Sequence, residues 1–271
     1  MAKTEQAPPS ERPPSEHAGE RLAKVMARAG LCSRREAERW VADGRVSVNG
    51  KTVTSPALNV SDADKVIVDG KPLPGAAETR LWRYHKPPGL VVSHADPQGR
   101  PTVFEKLPAE LPRVVSIGRL DINTEGLLLL TNDGGLARTL ELPATGWTRR
   151  YRVRAYGRVK PEALAGLSRG ITLGGIRYGA IEAKVDSEKG ENLWLTVALA
   201  EGKNREVKIV LEHLGLTVNR LIRVAFGPFQ LGDLARGGVE EIPRRVLRDQ
   251  LGQRLGGALP KGPHADRRRK A

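Results

Sequence analysis

A chain of 271 residues with 39% apolar side chains can build one large domain, or a small one and a medium one, and is not disordered throughout. Its 45 Lys and Arg outnumber 31 Asp and Glu, a formal charge of +14, which makes a polyanion a stronger candidate partner than a merely solvated basic surface would need. The single cysteine, Cys32, excludes a disulfide framework and fits a reducing cytoplasm; five histidines without ligand spacing argue against a metal site, and no apolar run reaches the length of a membrane span.

Residues 1–18, rich in Pro, Glu and Ser, are expected to form a disordered tail. From about residue 19, Leu22, Val25, Met26 and Ala29 keep helical spacing, with Gly30 placed as a C-cap. Ser33 and Glu36 make a capping box that opens a second helix burying Ala37, Trp40 and Val41 and stopping at Gly44. "VSVNGKTV" then reads as a hairpin with Asn49-Gly50 in a type I′ turn, and "KVIVDGKPL" supplies a further strand and an Asp-Gly turn. Residues 19–71 thus form a small basic α+β module of helix, helix and hairpin, with Arg34, Arg35 and Lys51 as candidate RNA contacts; 72–80 has the composition of a linker.

A second domain is expected over 81–250, followed by a basic flexible tail at 251–271. Its signals are mostly strands: "LWRYHKPPGLVVS", "RVVSIG", "GLLLLTN", "RRYRVRAYGRV", "ITLGGIRYGAIEAKV", "NLWLTVALA" and "RLIRVAFGPFQL". Helical patterns stand out at "PEALAGLSRG" and "NREVKIVLEHLG". Without βαβ alternation, this predicts an α+β domain on a largely antiparallel or mixed sheet with flanking helices.

Three stretches carry candidate chemistry. In "SIGRLDINTEGLLLLTNDG", Asp121, Asn123, Glu125 and Gly126 imitate the start of a calcium loop, but the twelfth position is Asn132 and a leucine strand follows Gly126, so calcium is rejected. Asp121 is left as either a turn-capping residue or, with Arg119 projecting to the same side, an ionised nucleophile. In "RRYRVRAYGRV", Tyr151 heads the apolar face as a core aromatic or a platform for a nucleobase, while Arg152 belongs to an arginine stripe facing phosphate or solvent. In "EGKNREVKIVLEHLG", Asn204 is the expected N-cap, and Lys203, Arg205 and Lys208 crowd a helix start where cations oppose the dipole unless an anion sits there.

The segment "AGLCSRREAERWVADGRVSVNGKTV" resembles the S4 RNA-binding domain. "YHKPPGLVVSHADPQGRPTVFEKLP", the Asp121 motif, the Tyr151 strand and "EGKNREVKIVLEHLGLTVNRLIRVAFGPFQL" follow one another as in pseudouridine synthases of the RsuA/RluB type, which the chain resembles over residues 20–248. The resemblance implies isomerisation of a ribosomal-RNA uridine to its C5-glycoside without cofactor or metal. Asp121 would be the catalytic carboxylate, Tyr151 would stack on the uracil, and Lys208 would be the basic partner of Asp121. Arg119 would grip the flipped nucleotide, with Lys86, Arg152, Lys203 and Arg205 as further RNA contacts and Leu127, Leu128 and Leu221 as pocket walls. "GKNREVK" points to the large-subunit branch, hence 23S rRNA or a pre-ribosomal particle, acted on by a cytoplasmic monomer. Small-subunit 16S rRNA and an inert S4-type ribosome assembly factor are the alternatives; a transfer-RNA synthetase is disfavoured because no H-I-G-H or K-M-S-K-S segment occurs.

Overall fold

The computed structural model describes residues 19–75, 77–142 and 145–251. The chain divides into two compact units at Ala77/Glu78. The expected tails, 1–18 and 251–271, lie outside the described residues except for Leu251, which ends a helix.

The first unit opens with β1 (Glu20–Arg21), α1 (Leu22–Arg28) and α2 (Arg34–Ala42). Both halves of the capping box form: Ser33 Oγ accepts from Glu36 N at 3.1 Å, and the Glu36 carboxylate accepts from Ser33 N at 2.7 Å. Strands β2 (Val46–Val48), β3 (Lys51–Val53), β4 (Asn59–Val60), β5 (Val66–Val68) and β6 (Lys71–Pro72) follow, with β3-β2-β5-β6 as one sheet. Asn49 and Gly50 have φ of 52° and 81°, the left-handed pair that a type I′ turn requires. Leu22, Met26, Ala37, Val41, Val46 and Val68 close a small core to which Leu73 adds, so this unit runs past the expected boundary at 71.

In the second unit the elements are β7 (Leu81–Lys86), β8 (Val115–Ile117), β9 (Thr124–Thr131), α3 (Gly134–Glu141), β10 (Arg149–Tyr156) and α4 (Pro161–Gly166). After them come β11 (Ile171–Leu173), β12 (Ile176–Tyr178), β13 (Ile181–Lys189), β14 (Asn192–Leu199) and α5 (Glu206–His213). The described chain closes with β15 (Thr217–Phe226), β16 (Phe229–Gln230), β17 (Val239–Glu241) and α6 (Arg244–Leu251). One nine-stranded sheet runs β13-β14-β10-β15-β9-β7-β17, with β8 added to β9 and β16 to β15. Among the described strands of this sheet only the β15–β9 pair is parallel, so the sheet is mixed as the strand pattern predicted.

The sheet has two different faces. On one, Leu127 and Leu129 pack with Leu136 and Leu140 of α3 and Leu247 and Leu251 of α6. On the other, Val153, Ala155 and Leu221 lie under Val207, Val210 and Leu211 of α5, while Tyr84, Leu128 and Leu130 are covered by Leu90, Val92, Val103, Val114 and Leu120 of the segment between β7 and β8 and the turn after it. Tyr151 packs against both of these covers. The seam between helix and loop leaves a cavity above the middle of the sheet.

Candidate active site

A tight turn separates β8 from β9, closed by Thr124 N donating to the Asp121 carbonyl at 3.0 Å. Every residue of β9 is buried, which anchors the turn at one end. Beneath it lies Lys86, fully buried at the end of β7, whose Nζ donates to the carbonyls of Pro87, Ile122 and Thr124, each at 3.0 Å. Burial pushes the Lys86 ammonium down to about 8 against the opposing pull of Asp121 and Glu125. Sequence reasoning counted Lys86 among the RNA contacts; all three of its donors are spent inside, so none is left for a phosphate. Its place is structural, under the turn that presents Asp121.

The half-buried Asp121 faces a cavity of about 820 Å³, within the range of small-molecule and cofactor sites. Arg119, Tyr151, Lys203, Arg205 and Leu221 line it too, so the three candidate stretches converge on one space. Among the described residues the Arg119 and Arg205 side chains make no hydrogen bond or ion pair, whereas the Lys203 ammonium is paired with Glu201. Arg205 rather than Asn204 occupies the N-cap of α5, in the left-handed conformation with φ of 52°. Lys208 is half-buried one turn further along and does not line the cavity.

Other expectations fall elsewhere. Arg152 projects from the opposite face of the sheet, 4.7 Å above the Trp194 ring, because strand alternation sends it away from Tyr151. Of the three leucines expected as walls, Leu221 lines the cavity; Leu127 points to the α3 side, and Leu128 is enclosed in the core under the β7–β8 segment. Arg34 and Arg35 are exposed on the first turn of α2 and Lys51 on β3, all three in the first unit. Glu125, fifth in the imitation calcium loop, is held by Arg220 at 2.7 and 3.0 Å and by Arg236 at 2.9 Å, and the hydrogen bonds from Arg220 lower its carboxyl despite burial. Asn132 joins the Arg80 and Glu78 backbones. Among the described residues no cluster of three acidic, histidine or cysteine groups could hold a metal.

Several cavity residues escaped sequence reasoning, among them Arg149, Glu206 and Arg223. Arg149 was legible, since it shares strand parity with Tyr151. Arg223 sits across from Tyr151 in the β10–β15 register and is 3% exposed, with Nε donating to the Leu127 carbonyl at 2.7 Å. Burial lowers both guanidiniums, and the phenol oxygen of Tyr151 opposes that shift in each. Glu206 is 3% exposed, and burial raises its carboxyl. Tyr151 therefore stands beside buried charges and lines the same cavity as the Asp121 carboxylate on its pinned turn.

The S4 domain family matches residues 20–67, and the RNA pseudouridylate synthase family matches residues 80–213. The chain is 48% identical over 229 residues to an RNA pseudouridine synthase of Rickettsia bellii, covering 84% of this chain and 99% of that one. It is 43% identical over 246 residues to the ribosomal large subunit pseudouridine synthase B of Pseudomonas aeruginosa, covering 88% of this chain and 63% of that protein. A solved pseudouridylate synthase structure at 25% identity superposes with a TM-score of 0.61, covering 86% of this chain and all of that one.

Proposed function

The chain belongs to the RNA pseudouridine synthases that carry an S4 domain, and from that membership we propose that it isomerises one uridine of large-subunit ribosomal RNA, with Asp121 as the catalytic carboxylate. The observation that carries the assignment of Asp121 is its position on a turn pinned by Lys86, in the lining of the same cavity as Tyr151.

The reaction conserves atoms and electrons. The N1–C1′ bond breaks, a C5–C1′ bond forms, C5 loses its proton and N1 gains one, so no co-substrate is required for balance. A base stacked in a helix is out of reach, and flipping it costs a few kcal/mol. Stacking on Tyr151 returns about 1–3 kcal/mol of this. Asp121 then forms a covalent bond, to the sugar or to the base, that lets the uracil turn before the glycosidic bond is remade. Arg119 and Arg205, without partners among the described residues, suit the phosphates flanking the flipped nucleotide. The family motif would make Lys208, two residues beyond cavity-lining Glu206, the cation of Asp121. Its side chain does not line the cavity, and among the described residues no ion pair joins the two, so the role of Lys208 rests on the motif alone.

Because C5 gives up its hydrogen, large-subunit rRNA transcribed with uridine tritiated at C5 supplies the test. Stoichiometric tritium release to water is expected from the wild-type protein and none from Asp121→Asn with RNA affinity retained. Release by Asp121→Asn at the wild-type rate contradicts the assignment; RNA binding without any release by the wild-type protein favours an inert assembly factor, and release only from small-subunit rRNA moves the substrate to that subunit.

A further inference from the structure

Among the described residues, two buried side chains in the wall of the cavity each keep one polar atom without a hydrogen-bond partner: Oε1 of Glu206 and Nη2 of Arg223. Neither residue is loosely held. Glu206 opens α5 with its other oxygen accepting from Lys203 N at 2.9 Å. Arg223 is fixed at Nε by the Leu127 carbonyl, its guanidinium also hydrogen-bonds with the Tyr151 phenol, and it lies 5.2 Å from the Phe226 ring centroid. A buried donor and a buried acceptor left open are costly in an empty site and are repaid when a ligand supplies the complement. Arg149, Glu206, Arg223 and Tyr151 share one neighbourhood, since the Arg149 guanidinium feels the charge of all the others.

Building on the proposed function, we propose that Arg223 and Glu206 form a donor–acceptor pair that reads the imide edge of the target uracil. Uracil offers a carbonyl oxygen beside N3–H, so it accepts from Arg223 and donates to Glu206. Cytosine has an amino group where uracil has O4 and a bare ring nitrogen at N3, so it meets donor with donor and acceptor with acceptor. Sites built to pair with polar groups reject such mismatches strongly, because their own buried groups are left unpaired.

The same pair accounts for a requirement of the isomerisation itself. A half-turn of the detached ring about its N3–C6 axis exchanges N1 with C5 and O2 with O4, while N3–H stays in place. Arg223 and Glu206 therefore meet the same pattern of carbonyl and N–H before and after the turn. They hold the base through the only step in which the ribose does not.

The test uses transcripts of the rRNA segment that bears the modified site, carrying uridine, cytidine or 3-methyluridine at the target, with binding measured in the full-length Asp121→Asn protein so that no probe is converted. Uridine RNA is expected to bind at least about tenfold more tightly than either analogue, the discrimination typical of one well-formed pair of base contacts. Adding Arg223→Met or Glu206→Ala should bring the cytidine ratio below about threefold, with Arg223→Lys retaining more of it than Arg223→Met. Equal binding of all three probes, or ratios that survive both substitutions, overturns the inference. The three-probe comparison can overturn the inference even where a substituted protein fails to fold, since it needs only Asp121→Asn, and the conservative Arg223→Lys then reads the contribution of Arg223. Tritium release by the wild-type protein together with equal binding sinks this inference and leaves the proposed function intact; no release sinks the function first.

Discussion

One ammonium group holds the Asp121 turn from beneath, and its replacement separates a structural from an RNA-binding role. Lys86→Met removes the ammonium that joins the carbonyls of Pro87, Ile122 and Thr124; Ile122 keeps Gly89 N as a donor, while a buried carbonyl left unsatisfied, as at Thr124, costs about 1–3 kcal/mol. The expected result is a thermal midpoint lower by several degrees and a fall in kcat, with RNA affinity close to wild type. Loss of affinity at unchanged stability would return Lys86 to the RNA contacts. The group also has a pH signature. Folding lowers its pKa from 10.5 to about 8, so between those values the unfolded chain holds the extra proton, and this residue makes folding more favourable as pH rises. Chemical denaturation from pH 7.5 to 10.5 should therefore show a rising contribution that disappears in Lys86→Met. Sequence alone shows a lysine in a basic protein; what it does not show is that the strand ends under a turn 36 residues away.

At the level of elements, the parallel seam between β9 and β15 joins the two halves of the site. Gly126 makes that approach possible: its φ is 101°, and a Cβ there would lie 2.3 Å from the Arg223 carbonyl oxygen. Gly126→Ala is expected to destabilise the fold by more than about 3 kcal/mol through combined strain and backbone clash, or to prevent folding. A thermal midpoint within a few degrees of wild type would show that the seam can part without loss. The cap of α5 trades the other way. Arg205 pays for a left-handed backbone with a side chain open to the cavity, so Arg205→Gly should keep or raise stability by up to about 1 kcal/mol while weakening RNA binding. The two-helix-and-hairpin unit was legible because its signals are local: a capping box, Asn-Gly and Asp-Gly turns, and helical spacing. Of the three candidate stretches, their convergence was only implied, because it depends on a crossover that puts β15 beside β9. Helix α3, capped by Asp133 through Gly135 N at 2.7 Å, escaped notice since its two opening glycines read as loop.

Across the whole molecule, a formal charge of +14 and two units that each resemble RNA-binding or RNA-modifying families make electrostatics the main source of affinity. Affinity for rRNA should fall linearly on a log–log plot against salt, with a slope of roughly −0.7 to −0.9 per phosphate contacted. Replacing Arg34, Arg35 and Lys51 together by Gln should make the slope shallower and raise KM with kcat held. A salt slope unchanged by the triple substitution would remove the exposed face of α2 and β3 from the RNA path. Whether the carboxylate at 121 makes pseudouridine in ribosomal RNA is read most directly in the cell. Pseudouridines are mapped across the rRNA of a strain lacking this protein and of the same strain supplied with the wild-type gene or with Asp121→Asn. One large-subunit site is expected to vanish on deletion, return with the wild-type gene and stay absent with Asp121→Asn; an unchanged map, or restoration by Asp121→Asn, contradicts a catalytic carboxylate at 121.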